Sequence, residues 1–302
     1  MALVLISTSD VARGRSDALD RMLCSVAGAC EGRPGLKVHL LLLMQNYSEL
    51  MRDRLFESLP AFVHVEVVER QVPLSSARNL LLARAFDLHL IGPDSVVLFP
   101  DDDCWYPDEL LAYLEDTFAE DADLDFWFCG YDNNPVPVRA GQARPANVCE
   151  VIRQVCSITM VLRGRVVHHL RYFDESFGVG TPLGGGEDTE FALSAFQIAR
   201  RILVLGDPCV GHRRDPERRL RVRGRYFGGT LLAIAGHAGR TPGVMRELAR
   251  KLAVGGWLTL NGELSVTKYI AFTFKALSKT VTGPARGKAR APTHGLQQSN
   301  IR

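Results

Sequence analysis

Three aspartates stand side by side in FPDDDCWYP, at Asp101, Asp102 and Asp103, and an acid pair, Glu187-Asp188, follows a run of glycines in GGGEDTEF. Like charges in a row repel, so either they serve the terminus of a following helix or a cation belongs among them. In an extended or turning backbone residues i and i+2 point the same way, which lets Asp101 and Asp103 face one pocket. Two carboxylates with diphosphate oxygens make a hard oxygen site suited to Mg2+ or Mn2+. The competing reading is that Asp103 and Asp108 only favour a helix N-terminus through its dipole.

The glycines Gly184, Gly185 and Gly186 allow positive φ and close approach of a ligand. A carboxylate after them can take a proton from an attacking hydroxyl while its neighbour orients that hydroxyl; the plainer alternative is a flexible turn before an acidic first helical turn. Arg78 in LSSARN lies in a segment of helical period, close in sequence to the acids, where a guanidinium suits phosphate or an acidic side chain. His212 in GHRR follows an apolar strand and can act as an imidazole ligand to the same metal, although structural histidines are common.

The elements that must position these residues alternate. Ala2 to Ser7, Lys37 to Met44, Val63 to Val67 and Ser95 to Phe99 read as strands; Asp17 to Ala29, Tyr47 to Ser58, Leu74 to Phe86 (with Ser75 and Ser76 as N-caps) and Asp108 to Phe118 read as helices. This pattern predicts an α/β fold with a mostly parallel sheet flanked by helices. Such sheets bind ligands beyond the carboxyl ends of their strands, and the triple aspartate sits there. Further on, LDFWFCGY reads as a strand, VCEVIRQVCSITMVLRG as a pair of strands or a hairpin, GGGEDTEFALSAF as a loop feeding a helix, and ILVLGD as a strand.

Apolar residues make up 46% and charged residues 23% of 302, which places the chain among globular proteins with a large core. Seven scattered cysteines without a CxxC pair suggest neither a zinc site nor a disulfide framework, and point to a reducing compartment. MALVLISTSD lacks a basic leader and a cleavage signal, and no apolar run is long enough to span a bilayer, so a cytoplasmic location is expected. From Arg213 onward Lys and Arg outnumber Asp and Glu by 18 to 4, whereas before it acids outnumber bases by 30 to 18. The two parts meet different partners.

LSSARN, FPDDDCWYP, GGGED and a strand ending in GH, in this order over residues 1–212, resemble the family 2 glycosyltransferases of the GT-A fold. The resemblance implies inverting transfer from a nucleoside diphosphate sugar, UDP-linked by preference, to a saccharide or lipid-linked acceptor. It implies that the aspartates stand for the DxD motif, with Asp103, Asp101 and His212 around Mn2+ or Mg2+ and Asp102 an alternative member. Arg78 would contact the nucleotide, Asp188 would be the base, and Glu187, Gly185, Gly186 and Trp105 would face the acceptor. The family often holds the nucleobase with an acid after its second strand; here Gln45-Asn46-Tyr47 follows, leaving that task to Asn46 or to Ser7 through Asp10.

The organisation expected is a catalytic GT-A domain over 1–212, a basic amphipathic helical extension over 213–285 and a disordered tail over 286–302. The extension combines apolar faces with basic residues, as in helices that lie on an anionic membrane or that simply pack on a domain. It resembles the tails of bacterial exopolysaccharide-pathway members, implying a peripheral protein at the inner face of the plasma membrane in surface polysaccharide synthesis. No nucleic-acid motif is present, and none is expected as partner. Two rival readings share the fold: a sugar-phosphate nucleotidyltransferase, for which the loop after the first strand offers only Arg13-Gly14-Arg15, and a non-catalytic carbohydrate-binding or scaffold subunit.

Overall fold

The computed structural model describes residues 1–139, 142–213 and 216–282. The strands are β1 (Ala2–Asp10), β2 (Lys37–Gln45), β3 (Val63–Val68), β4 (Val96–Leu98), β5 (Leu124–Asp132), β6 (Arg144–Pro145), β7 (Met160–Arg163) and β8 (Arg201–Gly211). They form one sheet in the order β3-β2-β1-β4-β7-β5-β8-β6, with β7 and β6 antiparallel to their neighbours and every other pairing parallel. Helices α1 (Asp17–Gly32), α2 (Arg52–Phe56), α3 (Leu74–Asp87), α4 (Leu110–Glu120), α5 (Val148–Gln154), α6 (Gly164–Leu170) and α7 (Glu187–Ile198) connect the strands. The chain then continues as α8 (Pro216–His237), α9 (Val244–Leu260) and α10 (Val266–Thr282).

The apolar run of β2 is covered on both faces, as its lack of alternation predicts. Leu40, Leu42 and Met44 join the core beneath α1 and α4, while Leu41 and Leu43 join that beneath α3. Helix α1 starts where Ser16 Oγ accepts from Leu19 N at 3.1 Å, and it buries Leu19, Met22, Leu23 and Val26.

Several expectations are corrected. Residues 148–163 are not two strands: α5 is set by Asn147, whose side chain accepts from the backbone of Glu150 while the Glu150 carboxylate accepts from Asn147 N. That capping box outweighs the β-branched content of a short run. Ser75 and Ser76 lie inside α3, which begins after Pro73, and Ser75 Oγ donates to Phe177 O at 2.7 Å. The stretch expected as a helix from Tyr47 to Ser58 is a single 3-10 turn followed by the short α2. The helix after the aspartates starts at Leu110, and no side chain caps it. The triple aspartate is therefore not its cap.

Helices α8 to α10 share a third core with α5 and α7 that includes Val148, Leu193, Phe227, Leu231, Leu248 and Ala276. The side chains of residues 214–223, among them the crowded arginines, and the tail 286–302 lie outside the described residues. Among the described residues no helix is long and apolar enough to cross a membrane. Glu247 of α9 is wholly buried and paired with Arg153 of α5 and Arg250, at 2.5 and 2.6 Å. Burial alone would raise its carboxyl, but these hydrogen bonds and charges override it and hold it at about 2.

A carboxyl depressed from 4.5 to about 2 stabilises the fold above pH 4.5 and stops doing so as pH falls through 2. Both arginines are nearly half exposed, which screens the pair. Glu247→Gln is expected to cost about 1–2 kcal/mol at pH 7 by urea unfolding; an unchanged midpoint would remove this pair as the anchor of α9.

Candidate active site

Parallel pairing brings the carboxyl ends of β1, β2, β4, β5 and β8 to one edge of the sheet. Ser9 and Asp10 end β1, Asn46 follows β2, Asp101 to Asp103 follow β4, and His212 follows β8. Arg78 reaches this edge from α3, and Glu187-Asp188 reach it from the first turn of α7.

Arg78 is the centre of the arrangement. It is 1% exposed, and its Nη1 donates to Asp188 Oδ1 at 2.9 Å while Nη2 donates to Asp101 Oδ1 at 3.3 Å. The guanidinium expected to contact a nucleotide is thus occupied by two carboxylates. The other oxygen of Asp188 accepts from Ser157 N at 2.9 Å. Phe173 lies 5.4 Å below the guanidinium, stacks on Phe191 of α7 at 4.0 Å and meets Phe99 edge-on. This aromatic floor is dry, so the charges above it interact strongly.

Asp101 is raised to about 6, first by burial and then by Asp188 and Asp103, with Arg78 opposing. Its side chain is 43% reachable from the cleft yet surrounded in depth by protein, so an open face does not give it the solvation of a surface acid. Asp102 points the other way and accepts from Ser9 Oγ. Burial raises its carboxyl too, against that hydrogen bond.

Asp103 Oδ1 lies 3.0 Å from His212 Nε2. That hydrogen bond lowers the Asp103 carboxyl. For His212, burial disfavours the cation, but Asp103 and Asp101 outweigh it and the imidazole is raised. Tyr131 of β5 meets the imidazole edge-on at 5.4 Å. Among the described residues, ligand atoms of Asp103, Cys104 and His212 all lie within 4.8 Å of one another. The carboxylate and imidazole fit Mn2+, and Mg2+ less closely; the Cys104 thiol, pushed far up by burial, stays protonated and is a poor donor to either. Of the three expected ligands, Asp103 and His212 stand together, whereas Asp101 stands with Arg78.

The glycines answer to the protein itself. Gly184 and Gly186 have φ of 72° and 94°. A Cβ on Gly186 would lie 2.4 Å from the backbone of Gly229 in α8, and one on Gly229 would lie 1.9 Å from Gly185 O. What approaches this loop closely is a helix, which only glycine on both sides permits. Trp105 is likewise packed: its backbone pairs with Gly211, its ring covers the Gly211 Cα, and Arg21 sits 3.8 Å from the ring centroid. It pins the aspartate loop to the end of β8. Ser7 lies buried within β1, away from the rim, while Asp10 and Asn46 meet through a 2.8 Å hydrogen bond.

Sequence reading missed Ser157, Cys104, Tyr131 and Gly229. Ser157 acts through its backbone, in the segment misread as strands, and Gly229 belongs to a helix distant in sequence, so neither carried a local signal.

No protein-family model matches the chain, and no curated protein matches it in sequence. Solved structures do. S. aureus TarS shares 18% identity over 88% of this chain and 44% of its own, with a TM-score of 0.55. TarS 1-349 in complex with UDP shares 19% over 91% of this chain and 75% of its own, at 0.55. The mannosyltransferase PcManGT from Pyrobaculum calidifontis, in complex with GDP-Man and Mn2+, shares 13% over 92% and 86%, at 0.56. The chain thus spans less than half the length of the first of these. The likeness is one of fold: a mixed α/β, GT-A-like glycosyltransferase architecture.

Glu187 is 7% exposed, beneath Gly178, and is raised to about 7, first by burial and then by Asp188, against Arg78. As pH rises from 4.5 to about 7, the unfolded chain releases this proton while the folded chain keeps it, so stability falls across that window and the penalty is complete above it. Asp101 acts in the same direction. Glu187→Gln should therefore raise the melting temperature above pH 7 and flatten its pH dependence without abolishing it. A melting temperature at pH 8 no higher than that of wild type would show that Glu187 ionises freely in the fold.

Proposed function

We propose that this protein is an inverting family 2 glycosyltransferase that moves a sugar from a nucleoside diphosphate sugar, UDP-linked by preference, to a saccharide or lipid-linked acceptor. The proposed setting is surface polysaccharide synthesis of the exopolysaccharide type, at the inner face of the plasma membrane. The observation that carries the reading is the buried Arg78, which ties Asp188 on the acceptor side to the aspartate loop at the carboxyl end of β4.

Asp188 is the proposed base. A carboxylate has about four lone-pair sites, and Arg78 and Ser157 N take two, leaving capacity for an acceptor hydroxyl. In the proposed step the acceptor oxygen attacks the anomeric carbon opposite the leaving group and its proton passes to Asp188. The bond from anomeric carbon to diphosphate oxygen breaks, and its electron pair departs with the nucleoside diphosphate. Inversion follows from this single displacement. Arg78 and Ser157 N orient Asp188.

Glu187, beneath the loop 178–186, positions that loop. Asp103 and His212 would hold Mn2+ or Mg2+, which supplies charge neutralisation for the departing diphosphate. Asp101 and Asp102 complete the donor rim, and the Asp10–Asn46 pair faces the nucleobase. The division into a catalytic unit over 1–212 and a basic extension over 213–285 belongs to the same proposal.

The test is nucleoside diphosphate release from UDP-sugars with saccharide acceptors, with and without Mn2+. Asp188→Asn is expected to lower kcat about 100- to 10,000-fold with UDP affinity little changed. Pyrophosphate release instead would replace transfer with nucleotidyl transfer, and an unchanged kcat would remove Asp188 as the base.

A further inference from the structure

The hairpin of α9 and α10 presents an apolar face that none of the described residues covers. Seven of the twelve large exposed apolar side chains among the described residues fall between 245 and 277. On α10, Val266, Ile270, Phe274 and Leu277 are 60, 61, 74 and 51% exposed, and at the helical repeat they fall within about 80° of arc. Leu260 and Trp257, at the adjoining end of α9, are 88 and 50% exposed. The other side of α10 is packed: Ala276 is buried, and Tyr269 Oη donates to Leu252 O at 3.1 Å. The exposed stripe is therefore not a core face out of place.

Charge decides what covers it. Residues 244–282 hold six Lys and Arg against two Glu, and the chain beyond them holds four more Lys and Arg and no acid. A second copy would bring the same sign of charge against this surface. Neither helix can cross a membrane, so the face lies in the plane of whatever it meets. At the helical repeat Arg246 and Arg250 share a side of α9 with Trp257 and Leu260, while Lys268 and Lys275 stand at the far edge of α10's exposed arc; apolar side chains with Trp and Phe, near the arginines of α9, suit the headgroup boundary of an anionic bilayer.

We propose that the exposed face of the α9–α10 hairpin docks on an anionic lipid bilayer, with Trp257, Ile270 and Phe274 entering the headgroup boundary and the basic side chains meeting lipid phosphates. This deepens the membrane setting proposed above and rests on that reading for its purpose, not for its physics. Because α10 packs on α8 and α8 meets Gly185 and Gly186, docking fixes the acid pair of α7 relative to the bilayer.

The experiment is co-sedimentation of the full chain, without donor, with phosphatidylcholine vesicles and with vesicles in which about a third of the lipid is phosphatidylglycerol. Binding to the anionic vesicles is expected, with weak binding to neutral ones. Ile270→Ser with Phe274→Ser should weaken it about tenfold or more. Arg246→Glu, at a side chain 72% exposed on the Trp257 side of α9, should weaken it while leaving the stripe intact. A far-UV circular dichroism spectrum and melting temperature unchanged in both variants show that they fold. Three results overturn the proposal: no binding to either vesicle, equal binding to both, or a dimer in sedimentation equilibrium that the serine variants disperse. Vesicle binding is read without turnover, so it stands or falls apart from the glycosyltransferase assignment.

Discussion

A guanidinium that is 1% exposed must have counter-charge on hand, and the arrangement of this protein's functional edge follows from that requirement. Arg78 satisfies it with Asp188 from α7 and Asp101 from the loop after β4, while the next residue, Asn79, bonds both the N–H and the C=O of Phe173. Three segments remote in sequence are thus held to one turn of α3. Removing a single partner of such a buried ion costs about 3–5 kcal/mol, more than a surface loop can lose and stay in place. The constraint also explains the aromatic floor: Phe99, Phe173 and Phe191 each lie beside a segment that Arg78 recruits, and they exclude the water that would weaken its pairs.

A second constraint is steric. Gly185, Gly186 and Gly229 let α8 approach the start of α7 more closely than any Cβ allows. The basic C-terminal helices are therefore continuous in packing with the element that bears the acid pair. Leu193 of α7 and Phe227 and Leu231 of α8 share one core, and Glu247 adds an ion pair to α5. A surface on α10 and an acid on α7 are two faces of one packed unit, which is why the hairpin can set the position of the site without touching it.

Much of this was legible in the sequence, and the losses have identifiable causes. The apolar runs of β1 and β2 and the helical period of α1 and α3 fixed the parallel half of the sheet, and the strand-end position of Asp101 to Asp103 followed from it. Residues 148–163 went astray because VCEVIRQV is short, apolar and β-branched, and periodicity cannot separate strand from helix at that length. Asn147 and Glu150 carried the needed signal as a capping box. The glycine run was read as room for a ligand because its partner, Gly229, is distant in sequence and backbone proximity leaves no local pattern. Trp105 looked available for an acceptor for the same reason: the pairing with Gly211 that occupies it joins two strand ends.

The charge balance of the edge bears on what it can hold. Among the described residues, Asp101, Asp102, Asp103, Glu187 and Asp188 are opposed by Arg78, His212 and Arg213, and Arg78 is already neutralised by two carboxylates. Burial first, and the neighbouring carboxylates after it, raise Asp101 and Glu187 to about 6 and 7, so part of this excess is met by proton uptake. A diphosphate brought to the same rim would add like charge at close range, in surroundings that screen little. Protons held on Asp101 and Glu187 offset it only in part at neutral pH, where Asp101, at about 6, is mostly ionised and Glu187, at about 7, is half ionised. A divalent cation held by Asp103 and His212 would supply positive charge at this rim. The burial and like charge that make folding less favourable as pH rises are, on this argument, the same conditions that make binding of the proposed donor depend on a cation.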